Sequence, residues 1–280
     1  MRLVLTMRPS SGGDHFALPL TYNEYVQAAL YSILPEDFAA FLHDAGYSYL
    51  KRKFRMFSFS RLLGKYEVLR DEGFIRFFGP VRLVVVSPLR EFTHAVLDRL
   101  LGDAMLRLGK VELELVEVES SNPRVDSSRI LVQTLSPITA YSTFFKPDGR
   151  KYTVYFHPRE SSFFEVVREN LRKKAKVARD EMGIDIGFSD EEFAFDIRPV
   201  GRTKKSVVVY RDIFVQGYSG RFELTGPPAV LSLALDLSLG SKNSQGFGCV
   251  DLIKTYAEEG GDGYVDSKKS SHNPLSSCMG

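Results

Sequence analysis

At the start of the chain Leu3, Leu5 and Met7 alternate with Arg2, Val4 and Thr6, the period of a strand. Tyr22, Tyr25, Val26, Ala29, Leu30 and Ile33 then recur at i, i+3, i+4, i+7, i+8 and i+11, which is one apolar sector of a helix over 22–34. Pro35 separates it from a second helix over 36–45, with Phe38, Phe41, Leu42 and Ala45 as its stripe and Gly46 as its stop. Strand-like runs follow at 54–62, around 66–70 and at 73–87. An amphipathic helix over 90–102 ends at a glycine, and 106–120 alternates as a strand.

The stretch 120–128 is rich in turn formers and reads as a linker. A second round begins with a strand over 129–138 and a short hairpin around Pro147-Asp148-Gly149. A helix over 161–182 precedes strands at 193–200, 205–220 and 221–226, with a hairpin turn predicted at Gly217–Gly220. The chain then gives a helix over 227–239, a glycine-rich loop over 240–248 and a strand over 247–254. Each half mixes about four strands with two helices, without regular β-α alternation. That predicts an α+β protein of two tandem ferredoxin-like (split β-α-β) domains, 1–121 and 128–256. The tail 257–280 is rich in Gly, Ser and Lys and is expected to be disordered.

At 280 residues and 44% hydrophobic content, two cores can be built. Two cysteines, Cys249 and Cys278, are too few for a disulfide framework. No apolar run approaches the ~18 residues of a membrane span, so a soluble, cytoplasmic protein is expected. A net charge of +2 places any nucleic-acid reading on local patches. Lys51, Arg52, Lys53, Arg55, Arg61 and Lys65 form a run without acids, and Arg202, Lys204, Lys205 and Arg211 form a second. A third run over 168–181 is mixed with acids and reads as a solvated helix face.

Two residues lie off the helical stripes. Tyr31, nine positions from Tyr22, falls on the face opposite it. His43 projects from the last turn of its helix, where the negative end of the dipole favours imidazolium. Lys53 and Arg55, two apart, share one face of the following strand. A tyrosine, a histidine and a fixed cation suit metal-free cleavage of RNA by its own 2′-hydroxyl. His94 reads as structural, His157 as a weaker RNA candidate, and Cys249 as a small apolar residue.

The loop GSKNSQGFGCVD (240–251) follows a helix and feeds a strand, the reverse of a P-loop or dinucleotide fingerprint. Together GSKNSQGFGCVDL, TLSPI (134–138), LHDAG around His43 and RMFSFS (55–60) resemble the CRISPR repeat-processing endoribonucleases. The resemblance runs from Met1 to about Tyr256. It implies a nuclease that cuts CRISPR repeat RNA without metal or cofactor, leaving 5′-hydroxyl and 2′,3′-cyclic phosphate ends. Repeat RNA is the implied partner, whether the protein works alone, as a homodimer or in an effector complex. A non-catalytic RNA-binding subunit of the same superfamily is the alternative.

By the same resemblance the family's tyrosine and histidine fall on Tyr31 and His43. Its lysine position holds Arg55, so either Arg55 or Lys53 supplies the cation. Gly240, Gly246 and Gly248 then serve tight packing, while Lys242, Asn243, Ser244 and Gln245 offer hydrogen bonds to phosphate or sugar.

Overall fold

The computed structural model describes residues 1–50 and 52–257. Lys51 lies outside the described residues, and so does the tail expectation beyond residue 257. The first half contains β1 (Arg2–Pro9), β2 (His15–Pro19), α1 (Asn23–Ser32) and α2 (Glu36–Ala40), which runs on into a π-helical turn (Phe41–Ala45). There follow β3 (Tyr47–Tyr49), β4 (Arg52–Phe54), β5 (Ser58–Phe59), β6 (Leu63–Leu69), β7 (Phe74–Val86), α3 (Arg90–Asp103), β8 (Met105–Leu108) and β9 (Val111–Ser121). The second half contains β10 (Arg129–Thr134), β11 (Tyr141–Phe145), β12 (Lys151–Tyr155) and α4 (Ser161–Asp180). It closes with β13 (Asp196–Tyr210), β14 (Ile213–Thr225), α5 (Pro228–Leu237) and β15 (Val250–Thr255).

Counting the principal strands within each half, both sheets have the order 4-1-3-2. The first runs β9-β1-β7 with β5 and β6 on the far side of β7; the second runs β15-β10-β14-β13. All these pairings are antiparallel. With helices crossing after the first and third strands, each half is ferredoxin-like, as expected. β8 lengthens the first sheet beyond β9, and β2 lies along the outer half of β7.

Alternation decides which face of the first sheet is covered by helices. Leu3, Leu5, Leu83 and Val85 share a buried cluster with Val26 and Leu30 of α1 and Phe92 and Val96 of α3. Each such side chain contributes roughly 1.5–3 kcal/mol on burial. The opposite pleat face places Val84 and Val86 against Leu135 and Cys249 of the second half. Cys249 is fully buried, and that burial pushes its thiol up to about 12.

Several local expectations are corrected. Gly102 lies inside α3, and Ala104 in the left-handed region (φ 53) is the stop. The run 106–120 is a hairpin, β8 and β9, turning at Gly109 (φ 64). β2 was not anticipated, and the run 54–62 is broken between β4 and β5, where Met56 takes a positive φ of 57. The second-half hairpin turns at Arg211 and Asp212 (φ 46 and 62), the left-handed pair of a type I′ turn. Gly217 and Gly220 sit within β14 instead. A Cβ on Gly217 would lie 2.8 Å from Pro137 Cβ, so close packing is its reason. Tyr25 and Phe41, read as core, are exposed: Tyr25 packs beside Gly109, and Phe41 meets Tyr47 edge-on at 5.2 Å. His94 is exposed on α3. Among the described residues no helix is long and apolar enough to cross a membrane.

Candidate active site

One face of α1 carries Asn23, Gln27 and Tyr31, spaced i, i+4 and i+8. The glycine-rich loop lies against this face. Asn23 Nδ2 donates to the Gln245 carbonyl (2.8 Å), Gln27 Nε2 donates to the Ser244 carbonyl (2.7 Å), and Arg61 donates to Asn23 Oδ1 (2.9 Å). Tyr210 hydroxyl donates to Gln27 Oε1, so the second sheet joins the same line of contacts. A polar stripe on a helix normally faces water; this one faces backbone carbonyls some 220 positions away.

Tyr31 closes the stripe. It is half-buried, with its ring edge-on to Phe57 (5.6 Å) and to His43 (6.0 Å). Burial raises the Tyr31 phenol above its ordinary pKa; the positive charge of the nearby Arg55 guanidinium opposes this without overcoming it. His43 stands on the π-helical turn, a local widening of the helix that recurs at functional sites. Gly46 stops the turn at φ 58, its N–H donating to the Phe41 carbonyl at 2.7 Å. The His43 ring is exposed, and its Nδ1 lies 2.7 Å from Asp44 Oδ1.

The carbonyls left free at this helix end are met by two cations. Arg55 donates to the His43 carbonyl (2.7 Å) and Lys53 Nζ to the Asp44 carbonyl (2.7 Å). The expected shared strand face for Lys53 and Arg55 is corrected, because β4 ends at Phe54. Both nevertheless reach the same helix end.

Across from them the loop is built almost entirely on backbone. TLSPI and the following Thr139 are its cradle: Gly248 N–H donates to the Pro137 carbonyl (2.9 Å) and Ser241 N–H to the Thr139 carbonyl (2.9 Å). Gly246 and Gly248 have φ of 82 and 77, and a Cβ on Gly248 would fall 1.8 Å from the Leu239 carbonyl oxygen. Asn243 is engaged within the protein: its Nδ2 donates to the Leu239 and Phe247 carbonyls, and its Oδ1 accepts from Lys174.

Lys174 is the residue that the reading of 168–181 as a solvated face missed. It is 2% exposed, and its Nζ reaches the Leu237, Ser238 and Gly240 carbonyls as well as Asn243. It thereby caps the carbonyl end of α5 and pins the loop to it. Burial pulls its pKa down to about 7, while the four oxygens around Nζ favour the ammonium. One turn earlier Asn170, 5% exposed, leaves its Oδ1 without a partner.

The two walls enclose a cleft of about 910 Å³. It brings together Tyr31, His43, Arg52, Lys53 and Arg55 from one side and Arg211, Lys242, Asn243, Ser244 and Gln245 from the other. Arg202, Lys204 and Lys205 do not line it; they lie on β13, the edge strand of the second sheet. Lys51 is outside the described residues, and His157 is engaged edge-on with Tyr218 at 5.0 Å, outside the cleft. Asn23, Gln27, Asn170, Lys174 and Tyr210 were not singled out from sequence; the i, i+4 spacings 23/27 and 170/174 were the available signal.

A model of the family described as CRISPR associated protein Cas6, C-terminal, matches residues 120–252. The CRISPR-associated endoribonuclease Cas6 1 of Methanocaldococcus jannaschii is 31% identical over 243 residues, covering 85% of this chain and 88% of that protein. This chain belongs to the Cas6 family. A solved Cas6-related protein from Pyrococcus furiosus superposes with a TM-score of 0.72 at 17% identity, over 91% of this chain and 98% of that one. A structure described as an RAMP protein binding different RNA substrates gives 0.72 at 18% identity, over 91% and 100%. These last two likenesses show the Cas6 fold.

Proposed function

We propose that this protein is an endoribonuclease that processes CRISPR repeat RNA without a metal ion. Residues 1–121 and 128–256 act as its two domains, and the RNA lies in the cleft between them. The observation that carries the reading is the convergence of Tyr31, His43 and Arg55 in one cleft opposite Lys242, Ser244 and Gln245 of the glycine-rich loop. In this reaction the 2′-oxygen attacks phosphorus and the bond to the 5′-oxygen breaks, giving a 2′,3′-cyclic phosphate and a 5′-hydroxyl. His43, exposed to the cleft, takes the 2′-hydroxyl proton. Tyr31, kept a phenol by its raised pKa, supplies the proton to the leaving 5′-oxygen. Arg55, whose positive charge favours the ionised phenol, stabilises the tyrosinate and the charged phosphorane. Lys53 holds the histidine turn through the Asp44 carbonyl.

The test is incubation of end-labelled repeat RNA with the protein in excess EDTA. Cleavage at one position, abolished by a 2′-deoxy nucleotide 5′ to the cut, is the expected result. Binding without cleavage would instead favour a non-catalytic RNA-binding subunit. Cleavage that disappears in EDTA and returns with a divalent cation would overturn the metal-free mechanism.

A further inference from the structure

The proposed reaction makes no use of the hairpin β11–β12. Among the described residues these two strands pair only with each other, and an isolated two-stranded hairpin is marginal in water. Register separates its two faces. On one, Phe144 stacks on Tyr152 across the strands at 5.6 Å and 29°, a pair that stiffens the arm. On the other, Tyr141 faces Tyr155 at 5.5 Å and Phe145 lies opposite Lys151.

This second face starts in the cleft. Tyr141 and Thr143 line it, and Lys242 Nζ lies 5.7 Å from the Tyr141 ring centroid. It ends at Phe145, which is 66% exposed, with Lys151 Nζ 5.7 Å from the ring. A large aromatic this exposed beside a cation at the tip of an arm has no packing role among the described residues. The arm also carries Lys146 and Arg150, against Asp148 as the one acid between Tyr141 and Tyr155.

We propose that this face, from Tyr141 to Phe145 and Lys151, is a stacking platform for single-stranded RNA leaving the cleft. Bases stack on the aromatic rings, and the phosphates between them meet Lys151 and Lys242. Charge and continuity favour RNA as the occupant: the arm is basic, and its base is a wall of the cleft already described. The inference rests on the proposed function for the identity of the ligand, but not on catalysis.

The experiment compares two RNAs, each with a 2′-deoxy nucleotide at the cut so that binding is read without chemistry. One spans only the residues around the cut; the other carries single-stranded extensions on both sides. Wild type should bind the extended RNA more tightly. Phe145→Ala should remove about 5–150-fold of affinity for the extended RNA, the value of one stacked base, and leave the short one unchanged. Lys151→Gln should act in the same direction, with a weaker salt dependence. Melting temperature should not move, because neither side chain is buried. Equal losses for both RNAs, or no loss for either, would overturn the platform. Unchanged RNA affinity together with an altered oligomeric state would assign the face to a second copy of the chain and also overturn it. Failure of wild type to cut unmodified RNA would count against the proposed function alone, since the binding comparison is made without cleavage.

Discussion

The two walls of the cleft are built on opposite principles. The wall carrying Tyr31, His43, Lys53 and Arg55 is open: His43 and Lys53 are exposed, and each polar group has one or two contacts. The glycine-rich wall is closed: Gly246 and Gly248 are buried and left-handed, and a Cβ on either would lie 2.5 Å or less from a neighbouring atom. Lys174 and Asn243 saturate the carbonyls behind it. The first wall is arranged to let side chains meet a ligand; the second is arranged to hold a backbone shape. Substitutions should therefore cost chemistry on one wall and folding on the other.

The largest effect should come from Gly248→Ala. Its Cβ would lie 1.8 Å from the Leu239 carbonyl oxygen, at a φ of 77 that disfavours alanine. Relief requires the loop to leave its cradle, so a loss of at least about 4 kcal/mol is expected in denaturant unfolding. A variant with wild-type stability would show that the loop is not the rigid wall described.

On the open wall, His43→Ala should slow cleavage by ~10²–10⁴-fold, the usual contribution of general acid–base catalysis, with melting temperature and RNA affinity nearly unchanged. Arg55→Ala should slow cleavage more than Lys53→Ala, because the Arg55 charge acts on the Tyr31 phenol, whereas Lys53 bonds the Asp44 carbonyl. The reverse order in single-turnover rates would make Lys53 the cation. Saturated His43→Ala cutting at the wild-type rate would remove the histidine from the mechanism.

Lys174 gives the closed wall a pH signature. Its folded pKa of about 7 lies below the ordinary lysine value of 10.5, so between these values the unfolded chain binds more protons than the folded one. Stability should then rise with pH across that window, by up to ~1.4 kcal/mol per unit where the difference is complete. Lys174→Met removes the group, so the wild-type minus variant difference in unfolding free energy should climb from pH 7 upward. A flat difference would mean that the surrounding carbonyls hold the ammonium charged throughout.

How much of this was legible follows the same division. Tyr31 and His43 could be found because hydrophobic periodicity makes an off-stripe residue visible, and both open-wall helices are strongly periodic. The glycine-rich loop was visible as composition, and its order relative to helix and strand excluded a nucleotide motif. The closed wall's supports were not visible. Asn23, Gln27 and Lys174 look like ordinary solvated helix residues, and only a carbonyl-lined partner distant in sequence reveals them as donors to it. The π-helical turn under His43 was hidden because an α-helix over 36–45 satisfies the same apolar spacing up to Leu42. The hairpin turn was misplaced because glycine pairs are the usual left-handed signal, whereas here Arg211 and Asp212 take that conformation.

That misplaced turn carries the smallest prediction. Arg202, Lys204, Lys205 and Arg211 form one basic run in sequence, but the turn swings only Arg211 into the cleft, its N–H held by Glu24 Oε1 at 2.6 Å. A side chain that meets phosphate releases counterions and contributes to the slope of log affinity against log salt, by about 0.7 per contact on a single strand. Arg211→Gln should flatten the slope by about that amount. Lys204→Gln and Lys205→Gln, on the edge strand outside the cleft, should leave it unchanged. Equal flattening by all three would mean that the RNA continues from the cleft along β13, and that the second half binds it as an open surface as well as a closed wall.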